Sequence, residues 1–501
     1  MNKFLAILWS IILLGSVYIA VNLFKPDSAL EQQIIYEELN EENAISRAIA
    51  EEEEEDTTFE IIEDQEEEEF EDKNYAQYLS DGDGYFEQEN YTNAIESYGI
   101  AAGINPNSSK ALNKLAASYL GNNQPEDAKK YYEMAFNLNS NSLEIQIGYL
   151  RSLINSRALT EAENLVINMD DSQPEVKYYK SIILTLKKEY SQVETLLAEI
   201  NENESASVNT KEKANIILLA FETYNYYPEA ESVFLDALIC KALSQVGENE
   251  SAIILGLDII DRKENYRDAW IVLGYAYLAT DDARSAIDAL SQAESLESEK
   301  PETLFYLGLA YFSNNDIDQA ISYLEKAYKN GYEPKDQINL KLGDLYLLKE
   351  NYNKAAFRYE KILTKNTKNM DIFVKAIWLN IDKTNDPEKA LSLAKKVVEN
   401  HPQDPMSFNL LGWAQLANGD LQNAEANLQT SLNINPSLDA TNLNYGLLYE
   451  KKGDVFLAKE FYKKAYLLGR GNAIARRAAT SYNKLTENEL TEYYQIEVST
   501  P

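Results

Sequence analysis

Alanine recurs in this chain at a fixed interval, and that interval limits the fold more than any other feature. Ala94, Ala128 and Ala162 stand 34 residues apart. Ala286, Ala320, Ala355, Ala390, Ala424 and Ala458 follow at intervals of 34, 35, 35, 34 and 34. Twelve residues before most of them comes a small residue: Gly82, Ala116, Gly274, Gly308, Gly343, Gly412 or Gly446. Three residues further on stands an aromatic: Tyr85, Tyr119, Tyr277, Tyr311, Tyr346 or Tyr449. Four after the alanine comes a large residue, as in Tyr98, Tyr132, Leu290, Leu324, Tyr359 and Tyr462, and seven after it another alanine, as in Ala101, Ala135, Ala293, Ala327 and Ala465. Spacings of three, four and seven mark one face of a helix. The spacing predicts two helices of about thirteen residues, crossing closely where both carry a small side chain. One such pair cannot bury its apolar face alone, so identical pairs stack around a continuous core.

Trp270, Leu273, Gly274, Tyr277, Ala286, Leu290 and Ala293 stand at the signature positions of a tetratricopeptide repeat, and the chain resembles that family over about 400 of its 501 residues. Full copies begin near 75, 109, 267, 301, 336, 405 and 439, and weaker ones near 143, 174, 233 and 371. Leu150 and Trp378 take the small position in two weak copies, which are expected to pack less regularly. The expected fold is all-α: a superhelical solenoid of stacked antiparallel helix pairs preceded by one transmembrane helix. Residues 201–210, "NENESASVNT", interrupt the period and divide an N-terminal block, 75–200, from a C-terminal block, 211–472. Residues 473–485 read as a single capping helix and 486–501 as a loose polar tail.

Residues 4–24 are apolar and uncharged. As a helix they measure about 31 Å, close to the bilayer core of about 30 Å. They are expected to anchor the chain, amino end inside and the bulk exported. A cleaved signal, which would make the protein secreted and soluble, is the alternative. Residues 26–72 hold 21 acids and one base, Arg47, so 20 of the 36 net negative charges sit there. Like-charge blocks such as "EEEEED" repel, which predicts a largely disordered spacer. Phe59, Ile61, Ile62 and Phe70 punctuate it.

The same composition excludes much chemistry. A net charge of −36 repels polyphosphate, so nucleic acid is not an expected partner. One histidine, His401, and one cysteine, Cys240, supply no catalytic pair and no metal cage, and no phosphate loop is present. No enzyme activity, cofactor or metal is expected. The resemblance implies instead a concave groove, lined by the first helices, that takes a peptide or helix of another protein. The family register turns Tyr275, Phe305, Leu309, Phe312, Leu340, Asp344, Asn409 and Trp413 towards it, with packing against the next repeat as the competing role for each apolar member. The inward lysines and arginines with which some relatives hold a terminal carboxylate are missing, since fifth positions read Leu79, Asn113, Ile147, Ile271 and Phe305. The expected function is a non-enzymatic, membrane-tethered scaffold for partner proteins. A structural array that associates with itself is the alternative.

Overall fold

The computed structural model describes residues 65–227, 229–364 and 367–485, and among them every regular element is helical. Two compact units divide the chain, residues 1–316 and 317–501. The first holds α1 (Gln65–Glu87), α2 (Tyr91–Ile104), α3 (Ser109–Gly121), α4 (Pro125–Leu138), α5 (Leu143–Asn155), α6 (Leu159–Ile167), α7 (Pro174–Leu186), α8 (Tyr190–Glu202), α9 (Val208–Asn225), α10 (Ser232–Gln245), α11 (Asn249–Arg262), α12 (Arg267–Ala279), α13 (Ala283–Leu296) and α14 (Pro301–Ser313). The second holds α15 (Ile317–Lys329), α16 (Lys335–Leu348), α17 (Tyr352–Leu363), α18 (Met370–Trp378), a π-helical turn (Leu379–Lys383), α19 (Pro387–Asn400), α20 (Pro405–Ala417), α21 (Leu421–Ile434), α22 (Asp439–Lys452), α23 (Val455–Gly469) and α24 (Ala473–Leu485). The expected anchor at 4–24, the tail at 486–501 and the acidic stretch before residue 65 lie outside the described residues. Among the described residues no helix is long and apolar enough to cross a membrane. The last eight residues of the acidic stretch belong to α1, so the boundary expected before residue 75 falls inside a helix.

One turn generates the repeat. Glu89, Asn123, Arg157, Lys188, Gly247, Asp281, Asn315, Glu350, Asn385, Gly419 and Gly453 all have positive φ, between 54° and 83°. Each stands five residues before a fully buried small side chain: Ala94, Ala128, Ala162, Val193, Ala252, Ala286, Ala320, Ala355, Ala390, Ala424 or Ala458. A single left-handed residue reverses the chain in the space of one turn. The next residue often caps the new helix. Asn90, Asp282, Asn351, Asp386, Asp420 and Asp454 each accept a hydrogen bond from the backbone N–H three residues on. The weak copies at 143, 174, 233 and 371 share this turn, at Arg157, Lys188, Gly247 and Asn385.

The small residues do what their spacing suggests. A Cβ added to Gly343 would lie 2.7 Å from the ring of Tyr359, which is fully buried, and one added to Gly412 would lie 2.7 Å from Leu428. At Trp378, where a small residue is expected, the helix instead widens into the π turn. Leu150 fits its small position without any such distortion and is fully buried.

The hydrophobic core continues across the interruption at 201–210. One hydrophobic cluster runs from Leu150 to Ala289 and includes Ala206, Ala214 and Ile217. α9 is nevertheless the odd helix: among the described residues no left-handed turn joins it to a partner. It packs between α8 and α10 and exposes Val208 and Leu219.

Two substitutions test this geometry by thermal or denaturant unfolding. Gly343→Ala forces a methyl into the Tyr359 ring and is expected to cost about 1–3 kcal/mol. Glu350 is exposed with φ 54°, a conformation that disfavours any side chain by roughly 1–2 kcal/mol. Glu350→Gly is therefore expected to stabilise by up to about 1 kcal/mol, the gain being reduced by the extra freedom glycine has when unfolded.

Candidate protein-binding surface

Part of the face expected to form a groove is filled by the chain itself. Within the first unit α11 packs against α5 and α7, two first helices of repeats. Tyr178 and Ile182 occupy the fifth and ninth positions of the copy beginning at 174, and both are buried. The Tyr178 hydroxyl donates to Glu248 at 3.3 Å, and Lys213 lies 3.5 Å from Glu248 and 5.5 Å from the Tyr178 ring centre. Burial, reinforced by Glu248, pushes the Tyr178 phenol well above its ordinary pKa, so it stays a donor. Around this contact runs a rim of polar pairs. Tyr190 and Arg262 both donate to Asp236, which is 1% exposed, and Lys188 reaches Asp258. Arg157 pairs with Glu250 at 3.1 Å, and Asn123 donates to the Thr280 carbonyl. Segments as distant as 157 residues in sequence are thereby joined.

The candidate residues of the first unit follow the packing role more than the lining one. Tyr275, Phe305 and Leu309 are buried, and only Phe312 keeps partial exposure. Tyr275 and Phe305 both meet the ring of Tyr306 edge-on, at 5.6 and 5.7 Å between ring centres. Tyr306, absent from the sequence-derived set, is the residue that joins them.

In the second unit the candidates remain accessible, apart from Asn409. Leu340, Asp344 and Trp413 are half-buried. Asp344 accepts from the Tyr359 hydroxyl at 2.6 Å and from Lys375 at 3.0 Å. Burial holds the neighbouring Lys341 ammonium below its ordinary pKa, with Asp344 opposing that shift. Asn409 is 1% exposed; its carbonyl oxygen accepts from the Asn444 amide at 2.8 Å. The Arg477 guanidinium of α24 lies 5.4 Å from the Trp413 ring centre and pairs with Asp382, 95 residues away, at 2.7 Å. Lys375 and Arg477 join this surface without having been selected from the sequence, and the buried Asn444 supports Asn409 beneath it. Lys375 and Asn409 share the fifth position of successive repeats, and that signal was available. Arg477 belongs to α24, which has no repeat register to place it. The result is a face that offers an indole and an apolar leucine between fixed charges, suited to the side chains of a polypeptide.

The other reactive groups have structural surroundings. Cys240 is buried, its thiol donates to the Ala252 carbonyl at 3.1 Å, and burial raises its pKa. His401 caps the end of α19 and its Nε2 lies 3.0 Å from the Thr367 carbonyl oxygen. Among the described residues no group of His, Cys, Asp and Glu is arranged to hold a metal ion.

A family model for the tetratricopeptide repeat matches residues 271–334, 305–369 and 382–438, and a second one matches 440–468. No curated protein matches the chain significantly. Solved structures with a similar fold include the C-terminal part of a TPR repeat-containing protein from Cytophaga hutchinsonii, at 16% identity over 48% of this chain and 98% of that one, with a TM-score of 0.39. Yeast Tom70 is 14% identical over 86% of this chain and 98% of its own, with a TM-score of 0.28. YrrB, described as a TPR protein with an unusual peptide-binding site, is 22% identical over 39% of this chain and all of its own, with a TM-score of 0.30.

The burial of Phe305 separates its two roles by experiment. Phe305→Ala removes a side chain that is 1% exposed and is expected to cost about 3–5 kcal/mol of stability. A melting point unchanged by this substitution would return Phe305 to the accessible surface.

Proposed function

The chain belongs to the tetratricopeptide repeat family, and we propose from that premise that it is a non-catalytic scaffold held at a membrane by residues 4–24. Partner proteins dock on the first-helix face of the second unit. The observation that supports this site over the others is the accessibility of Leu340, Asp344 and Trp413, where the equivalent face of α7 is covered by α11. The occupant is a peptide or helix, with an apolar side chain against the indole and polar contacts to Asp344, Lys375 and Arg477. Peptide binding, which the description of YrrB attributes to that protein, is an activity of the same kind. The tether rests on the sequence: the 21 mostly apolar residues 4–24 are long enough to span.

Two measurements test the two halves of the reading. Removal of residues 1–25 is expected to release the chain from carbonate-washed membranes. A full-length chain that appears in the soluble fraction, with its amino end beyond Ala20, would replace the anchor with a cleaved signal. For the docking face, the partner is identified by crosslinking in native membranes and its affinity measured with the full chain. Trp413→Ala is expected to weaken that affinity by about 2 kcal/mol, roughly thirtyfold, as aromatic anchors at interfaces do. Its melting point should shift little, because the ring is half-buried. Unaltered affinity at Trp413→Ala would move the site off this face.

A further inference from the structure

The first-helix face of the first unit carries a cation with no acceptor of its own. Arg151 stands on α5, four residues after Ile147 and three after Gly148, at the ninth position of its repeat. Among the described residues it makes no ion pair and no hydrogen bond. Tyr179 acts on its guanidinium most strongly and holds the pKa above the ordinary value, against burial, with Glu248, Tyr132 and Tyr178 adding to the rise. The side chain is nevertheless exposed. A side chain that water reaches while protein desolvates it stands in an open recess. The walls of that recess come from α4, from α7 and from the N-cap of α11, and α5 packs against all three helices.

Two tyrosines of these walls bring hydroxyls that are likewise unclaimed. Tyr132 and Tyr179 are only 4% and 7% exposed, and neither hydroxyl has a hydrogen-bond partner among the described residues. Neither is sealed from solvent, in contrast to the orphaned Asn113 Oδ1. Tyr132 reaches α5 one turn before Arg151: a Cβ added to Gly148 would lie 2.7 Å from its hydroxyl oxygen. Burial pushes the Tyr132 phenol up to about 12, although Arg151 opposes the shift, so it stays protonated and able to donate. Tyr179 meets Tyr178 edge-on at 5.2 Å between ring centres. The acids nearby already have donors. Glu248 accepts from Tyr178 at 3.3 Å and lies 3.5 Å from Lys213, Glu144 accepts from Asn113 at 2.6 Å, and Glu175 accepts from Thr210 at 3.1 Å. Polar groups on buried side chains are seldom left without a partner, and here a guanidinium and two phenols lack one together.

We infer that Arg151, Tyr132 and Tyr179 form a binding site for one small oxyanion, a free carboxylate or phosphate. The guanidinium offers a planar fork to two oxygens, and the phenols supply donors for the remaining lone pairs. The limit on size comes from α11, which covers α5 and α7 against a peptide. A small anion displaces none of the pairs that hold α11 in place. The net charge of the chain opposes anions at long range only. At about 0.15 M salt the screening length is about 8 Å, so the local donors decide. An occupied site ties α4, α5 and α7 together, and it uses no residue of the docking face proposed for the second unit.

Thermal unfolding and titration calorimetry of the full chain read this site, with sodium acetate or sodium phosphate replacing sodium chloride at constant ionic strength. A saturable rise in melting point is expected with at least one of the two anions, and the one that binds tighter names the class of oxyanion. Arg151→Gln is expected to weaken that binding by at least about tenfold. Tyr132→Phe and Tyr179→Phe keep the buried rings and should each weaken it roughly threefold to tenfold, as the loss of one hydrogen bond does. Arg157→Gln removes a cation already paired with Glu250 at 3.1 Å and should leave the affinity unchanged. Absence of a saturable response to both anions overturns the inference. Binding that survives Arg151→Gln, or that Arg157→Gln weakens equally, belongs to general surface charge and overturns it too. So does a loss of stability at Arg151→Gln in plain chloride that Glu248→Gln restores, since Arg151 then serves Glu248 within the fold.

Discussion

Everything regular in this molecule depends on one backbone conformation held five residues before one buried small side chain. The left-handed residue turns the chain, and the small side chain lets the second helix lie against the first. Neither works alone. A turn without the close approach leaves the helices splayed, and a close approach without the turn has no fixed register. Eight of the eleven turns place a residue other than glycine in this conformation, Glu89 and Lys188 among them. The packing of Ala94, Val193 and their equivalents must therefore outweigh a local strain of roughly 1–2 kcal/mol at each such turn. The stack is possible because that surplus recurs along the chain.

What the repeat does not determine is where the stack meets itself. α9 has no partner in the alternation, and after it the chain returns, so that α11 covers α5 and α7. The contact is built from groups that are costly to bury unless paired. Asp236 at 1% exposure is satisfied by Tyr190 and Arg262, and Glu248 by Tyr178 and Lys213. Removing one partner of such a group strands a buried charge. A surface sealed in this way is a poor site for a transient ligand, which would have to replace every one of those pairs. Physical occupancy, and not only the nature of the lining residues, decides which face of the array is free to bind.

The parts of this structure legible in the sequence are those set by near neighbours along the chain. Intervals of 34 and 35 between alanines identify helix pairs, since both members of each contact lie within one period. Gly343 and Tyr359, 16 residues apart, illustrate it. The copy at 174 is faint because Ser181 and Leu184 stand in place of the glycine and the tyrosine, yet Lys188 adopts the same turn. Burial of Phe305 was not legible, because the inward position of a repeat is identical in sequence whether or not something lies over it. The ion pair from Arg477 to Asp382 spans 95 residues, and no spacing rule addresses that distance. The interruption at 201–210 is legible only as a loss of period. Loss of period is a statement about the chain, whereas the core is continuous in space through Ala206 and Ile217.

Charge adds a level of organisation above the helix pair. Residues 73–316 carry 19 bases and 38 acids, while residues 317–485 carry an excess of bases. The repeat itself is indifferent to this, since the positions that build the core are apolar in both. Sequence drift in the outward positions could have produced any balance, but not easily a lysine at one register of four helices, as at Lys326, Lys361, Lys396 and Lys464. A stripe in register is also what the architecture makes available: each second helix supplies one outward site, and stacking sets the sites in line. The row is interrupted at α21, where Thr430 holds the position.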